Sequence, residues 1–266
     1  MTARIVVAFS MFLAVLSTPA LAAPKAVQCT APDDVLKLNA KLTNTARAIR
    51  RNEELVIVAI GSSSTEGAGA SSRANTYPAR FAAELAHRWP KLRPRVINEG
   101  VGGETVVEML ARFEEDVMAH KPHLVIWQTG SNALLTGQKL EDYVKTVRKG
   151  LRRLKAARTD VILMDPQFAP MVVAQPMHRR LIAATADLAN DFRVGLFQRF
   201  AVMQHWVSSG KTRIDEVISR DRLHMNDASY RCIARLLADS VSALAYQGMG
   251  LAPADRLREP LISGSR

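Results

Sequence analysis

Cysteine is nearly absent. Two in 266 residues cannot build a disulfide-rich scaffold or a four-cysteine zinc site. Fourteen glycines and twelve prolines, irregularly placed, exclude a fibre or a long linker. After the first 23 residues, no stretch is both long and charge-free enough to span a bilayer. Acidic residues are in deficit, 25 against 36 Lys and Arg, for a formal charge of +11. That excess suits an anionic glycan, a membrane surface or nucleic acid and selects none of them. What is present is globular: 48% hydrophobic and 23% charged residues, enough for one α/β domain with insertions.

The first 23 residues have the layout of a secretory leader. Arg4 precedes an apolar run, Ile5 to Leu16, followed by Pro19 and the small residues Ala20, Ala22 and Ala23. Cleavage after Ala23 leaves 266 − 23 = 243 residues and a charge of +10. Export to a periplasm or beyond the cell is therefore expected. An oxidising compartment permits a bridge between Cys29 and Cys232, tying an N-terminal arm to the last helix. Two unpaired thiols are the other state the sequence allows. The expected organisation is a signal peptide (1–23), an arm and helix (24–52), a catalytic domain (53–250) and a tail (251–266).

Short aliphatic runs recur at Leu55–Ile60, Arg95–Asn98, Leu124–Gln128, Val161–Met164 and Val194–Phe197. Runs apolar on both alternating faces read as strands covered on both sides. Helical spacing lies between them. Leu140, Tyr143, Val144, Val147, Leu151 and Leu154 form one stripe, with Lys145, Arg148, Lys149, Arg152 and Arg153 off it. The basic run Arg152 to Arg158 reads as a solvated helix face. Pro78 suits the first position of a helix running to His87, within which Glu84 and His87 read as a surface pair. Asp227 is the expected N-cap of a last helix carrying Tyr230, Ile233, Ala234, Leu237, Val241 and Leu244. Strand, helix, strand at this spacing predicts a parallel sheet with right-handed crossovers.

Ligands of such sheets sit beyond the carboxyl ends of the strands. Three loops leave those ends: Gly61–Gly67, Asn98–Thr105 and Thr129–Asn132. Each is polar and glycine-rich, and all three are expected to open on the same edge. None fits a phosphate loop, since Gly67 falls one place late after Gly61 and no lysine follows. Gly67 and Gly69 are followed by Ser72, and Gly100 and Gly102 by Thr105, so the dinucleotide fingerprint fails too. Thr65 stands where a Gly-x-Ser-x-Gly elbow needs its second glycine. His120 and His123 flank Pro122 without a matching carboxylate or histidine cluster, so no metal site and no cofactor are expected.

A serine-rich loop at a strand end needs a base to act as a nucleophile. Asp221 and His224 form the chain's sole Asp-x-x-His, a spacing that lets the carboxylate hold one ring nitrogen and leave the other free. Gly61-Ser62-Ser63-Ser64-Thr65-Glu66-Gly67, Asn98 to Thr105, Gly130-Ser131-Asn132 and Asp221 to His224 then follow one another in the order of four blocks of the SGNH hydrolases, also called the GDSL esterase/lipase family. The resemblance covers most of the chain after the leader. It implies a three-layer α/β/α sandwich around a mostly five-stranded, flavodoxin-like parallel sheet. It also implies Ser63 as nucleophile, His224 as base and Asp221 as its orienting carboxylate. The oxyanion donors would be the N–H groups of Ser63 and Gly103 and the side chain of Asn132.

Two positions depart from the family pattern. Ser62 and Ala133 stand where it has aspartates, which questions the hydrogen bonding of those loops without removing a reacting group. The reaction implied is ester hydrolysis through an acyl-enzyme. The expected substrate is an O-acetylated, possibly anionic carbohydrate, with a lysophospholipase- or thioesterase-type lipid ester, or a non-catalytic glycan-binding role, as alternatives. Nucleic acid is not an expected partner. Ala68 to Tyr77 follow the nucleophile loop, with Arg73 and Tyr77 as candidate substrate contacts. Neither long aromatic runs nor an evident lid segment supports a triglyceride lipase.

Overall fold

The aliphatic runs become the middle of a parallel sheet because both their faces need cover. In the computed structural model, which describes residues 27–250, five strands form it. They are β1 (Glu54–Gly61), β2 (Arg93–Gly100), β3 (Leu124–Gln128), β4 (Asp160–Met164) and β5 (Gly195–Phe197), in the order β2-β1-β3-β4-β5. Every pairing is parallel. β3 and β4 are buried along their whole length, whereas β2 at the edge alternates between part-buried and exposed. The leader expected at 1–23 and the tail at 251–266 lie outside the described residues.

Helices cover both faces. On one, α1 (Thr43–Arg51) and α2 (Tyr77–Arg88) pack against the last helix, and on the other α3 (Leu140–Ala156) packs against α4 (His178–Phe192). A ten-residue helix, α5 (Arg199–Ser208), precedes the last one, α6 (Asp227–Gly248). The result is the expected three-layer sandwich. The stripe predicted for α3 is its buried side, with Tyr143, Val147, Leu151 and Leu154 inside. Among the described residues, no helix is long and apolar enough to cross a membrane.

Three local readings need correction. α2 begins at Tyr77, which puts Pro78 at its second position rather than its first. Glu84 pairs with Arg88, not His87, because i,i+4 brings the guanidinium over the carboxylate while His87 points outward. The cap of α6 is Asn226, whose side chain accepts from Ser229 N–H at 3.1 Å. Asp227 sits inside the first turn instead. Its carboxylate takes the N–H (2.8 Å) and hydroxyl (2.5 Å) of Ser71 and the amide of Asn75 (2.9 Å).

The N-terminal arm is strapped across the domain. Cys29 is bonded to Cys232 in α6, 203 positions along the chain. Trp206 Nε1 donates to Thr30 O at 2.9 Å and Ser240 Oγ to Leu36 O at 2.8 Å.

Candidate active site

The order of the strands reverses between β1 and β3, so the loops leaving these two strands diverge and open a crevice at the carboxyl edge. The serine loop leaves β1 and the asparagine loop leaves β3. Ser63 starts a short helical turn, Ser63–Glu66, directly after β1. Of the three adjacent serines, Ser62 and Ser64 are buried and only Ser63 is half exposed. Its Oγ lies 2.8 Å from His224 Nε2.

The other ring nitrogen of His224 is 2.6 Å from Asp221 Oδ2. The remaining carboxylate oxygen, Oδ1, accepts from the N–H groups of Leu223 and His224, both at 2.9 Å. The carboxylate thus fixes its own turn as well as the ring. Arg222 between them takes a left-handed conformation (φ +63°). Partial burial acts to raise the pKa of Asp221, but the two N–H donors and the His224 ring outweigh it and hold the carboxyl below its ordinary value. Asp221 is therefore ionised at neutral pH, as an orienting group for an imidazole must be.

The β2 loop closes on the same place. Gly100 is needed because any Cβ there would lie 2.0 Å from Glu66 N. That contact lets the loop cross beside the nucleophile turn, where a Cβ on Gly102 would come within 3.9 Å of Ser63 Cβ. Gly103 has φ +81° and faces open space. Arg112 clamps this loop, binding the Glu104 carboxylate at 2.8 Å and Glu99 O at 2.7 Å. Asn132 Nδ2 donates to Glu104 O at 2.8 Å, so the β3 loop and the β2 loop are joined at the residue after Gly103. The N–H groups of Ser63 and Gly103 have no acceptor among the described residues.

Arg73 is exposed in a short 3₁₀ turn that leads into α2. Tyr77 is fully buried, with its hydroxyl 3.2 Å from Thr65 Oγ1, so it supports the nucleophile turn from beneath and does not line the crevice. Burial pushes that phenol up to about 12. His123 Nδ1 accepts from Val56 N–H at 3.1 Å, and His120 stands 3.7 Å from Glu99.

Sequence reading missed two glutamines. Gln128, the last residue of β3, accepts at Oε1 from Ser62 N–H (2.9 Å), Ser62 Oγ (3.2 Å) and Thr65 Oγ1 (3.1 Å). It anchors the turn at Ser62, the position where the family pattern has an aspartate. Gln167, after β4, is equally buried. For Gln128 the signal was a polar amide ending an otherwise apolar strand; Gln167, after Asp165 and Pro166, carried none.

Below the crevice, Arg199 and Asp165 are both buried. Arg199 Nε donates to Asp165 O at 3.0 Å, and the Asp165 carboxylate accepts from Phe200 N–H at 2.9 Å. Burial pushes this carboxyl up to about 7, against the opposing pull of Phe200 N–H and Arg199. An unfolded aspartate titrates at about 4. Between those values the folded chain holds the extra proton, so stability falls as pH rises from about 4 to about 7. Asp165→Asn is expected to abolish this slope. Urea midpoints at several pH values in that window check it; wild-type and variant curves running parallel would refute it.

The chain resembles known proteins across this whole architecture. The Non-GDSL lipase-like family profile matches residues 28–247. An acetylxylan esterase of Geobacillus stearothermophilus is 29% identical over 192 residues, which is 66% of this chain and 85% of that protein. The thioesterase 1/protease 1/lysophospholipase L1 of Escherichia coli K12 is 28% identical over 122 residues, 46% of this chain and 58% of its own length. Among solved structures, a two-domain esterase active on acetylated mannans, crystallised with mannopentaose, superposes with a TM-score of 0.67 at 20% identity, over 79% of this chain and 56% of that one. An acetyl-xylooligosaccharide esterase of Geobacillus does so at 0.60 with 24% identity, over 70% and 94%. At such identities the structures speak for the fold alone. Family membership rests on the profile match, which spans nearly every described residue: the chain belongs to the Non-GDSL lipase-like family and is an SGNH/GDSL-like hydrolase.

Proposed function

We propose that this protein is a serine esterase that hydrolyses carboxylic esters through an acyl-enzyme, and that its substrates are O-acetyl groups on a carbohydrate. The observation that carries the reading is the unbroken chain from Ser63 Oγ to His224 to the Asp221 carboxylate. A serine hydroxyl is a weak nucleophile at its free pKa, and such a chain activates it. Ser63 Oγ attacks the ester carbonyl carbon while His224 Nε2 takes its proton. Asp221 stabilises the imidazolium through Nδ1–H. His224 then protonates the departing alcohol, and a water molecule, deprotonated by His224, releases the acid from Ser63. Negative charge on the former carbonyl oxygen meets the N–H groups of Ser63 and Gly103 and the Asn132 amide, whose second N–H is not engaged by Glu104.

Acetylated sugar is favoured by the acetylxylan esterase relative, matched over most of its length. A lipid ester is the second reading. It draws on the lysophospholipase relative and on Met171 and Val173, exposed aliphatic residues on the turn whose Met171 N–H binds Arg222 O. Acetate release from acetylated xylan, compared with fatty-acid release from lysolipids by purified protein, decides between them. Greater turnover on lysolipids would overturn the carbohydrate reading. Neither ester being cleaved, with Ser63 unlabelled by an organophosphonate, would leave a non-catalytic glycan-binding role. We place the mature protein in an exported compartment, a reading supported by the leader-like 1–23 and by the Cys29–Cys232 bond. Recovery of protein starting at residue 23 or 24 from a periplasmic or culture fraction tests it; full-length protein in the cytosol refutes it.

Asn132→Ala is expected to lower kcat by about 10²–10³ while changing KM little, the usual cost of one oxyanion donor. Asn132→Asp should do no better, since its carboxylate would face both the oxyanion and Glu104 O. Initial rates on an aryl acetate check both; an unchanged kcat removes Asn132 from the mechanism.

A further inference from the structure

Gln167 touches the chain next to each of the proposed reacting groups. It leaves β4 two residues after Asp165 and is 1% exposed. Its Oε1 accepts from Ser131 Oγ at 2.9 Å, Arg199 Nη2 at 3.0 Å and Ser64 Oγ at 3.3 Å. Its Nε2 donates to Leu223 O at 3.1 Å. Ser64 follows the nucleophile, Ser131 precedes the oxyanion asparagine, and Leu223 precedes the base.

The amide can stand only one way round. A guanidinium donates and never accepts, so Oε1 must face Arg199. A peptide carbonyl accepts and never donates, so Nε2 must face Leu223 O. Arg199 is itself held by Asp165 O, which ties the amide to the floor of the sheet. Neither glutamate nor alanine satisfies both ends. From this we infer that Gln167 is a positioning residue for the esterase reaction. It sets the Ser63 turn, the Asn132 turn and the His224 turn in one register, acting through Ser64, Ser131 and Leu223. The inference rests on the serine-esterase reading above.

Gln167→Ala cuts all three ties, and a displacement of about 1 Å is enough to cost roughly 10²-fold in rate. The expected result is a kcat lowered 10- to 100-fold, by that principle, with KM within about two-fold and Ser63 labelling by an organophosphonate slowed in parallel. Gln167→Glu keeps the acceptor toward Arg199, Ser64 and Ser131 and sets a carboxylate against Leu223 O. Its effect should concentrate on the base turn: kcat falls with KM little changed, because Leu223 O, next to His224, loses its amide donor. A merely structural glutamine would lower the melting temperature without moving either readout. Wild-type kcat and labelling rate in folded Gln167→Ala overturn the role, and if that variant does not fold, wild-type kcat and labelling rate in Gln167→Glu overturn it equally. Ser63→Ala is run alongside. Full turnover there overturns the esterase mechanism and this role together; its loss, beside an unaffected Gln167→Ala, overturns the role of Gln167 alone.

Discussion

Replacing Ser63 with alanine is expected to lower kcat by on the order of 10⁶, with His224→Ala costing a similar amount and the double variant little more, because groups acting as one unit are not additive. Three consecutive serines make the comparison sharp. The Ser62 hydroxyl is committed to Gln128 and the Ser64 hydroxyl to Gln167, both buried, while only Ser63 Oγ reaches the imidazole. Ser62→Ala and Ser64→Ala should therefore still be labelled at Ser63 by an organophosphonate, and Ser63→Ala should not. Hydrolysis of an aryl acetate by Ser63→Ala at the wild-type rate would end the account.

The largest effect on stability should come from the bond between Cys29 and Cys232. It closes a loop of 203 positions, and the chain-entropy model assigns such a loop about 5 kcal/mol through its constraint on the unfolded chain. For a domain of this size, each kcal/mol moves Tm by about 2–4 °C, so the paired Cys29→Ser and Cys232→Ser variant should melt roughly 10–20 °C lower. The arm it secures carries Thr30, which receives Trp206 Nε1–H, and Leu36, which receives Ser240 Oγ–H. These contacts should loosen with it. Thermal scans with and without reductant measure the effect; coincident transitions would show that packing alone holds the arm.

Of the two departures from the family pattern, Ser62 finds its explanation in a tertiary contact. Ser62 hands its N–H and hydroxyl to Gln128, a partner 66 positions away. Ala133 is 2% exposed and borders a small cavity lined by Leu134, Leu140 and Leu181 together with Gln138 and Gln175. Nothing in the structure explains Ala133 beyond its burial.

Strand identity and order of secondary structure were legible along the chain because they depend on periodicity and turn chemistry over a few residues. The same holds for Asp221 and His224, whose contact spans three positions and is closed by the turn itself. Local caps were less secure: Asn226 and Asp227 are neighbours with similar capping ability, and only the course of the preceding loop selected between them. What the folded sheet alone decided was which of three serines meets the imidazole, whether the two cysteines meet, and that Tyr77 lies under the loop and not beside a substrate. It alone brought Gln128 and Gln167 beneath the crevice. Each of those outcomes joins segments separated by 12 to 203 positions. The contacts of Ser63, Gln128 and Gln167 follow from where β1, β3 and β4 lie next to one another, and the Cys29–Cys232 bond from where the arm meets α6; nothing local to any of these residues encodes them.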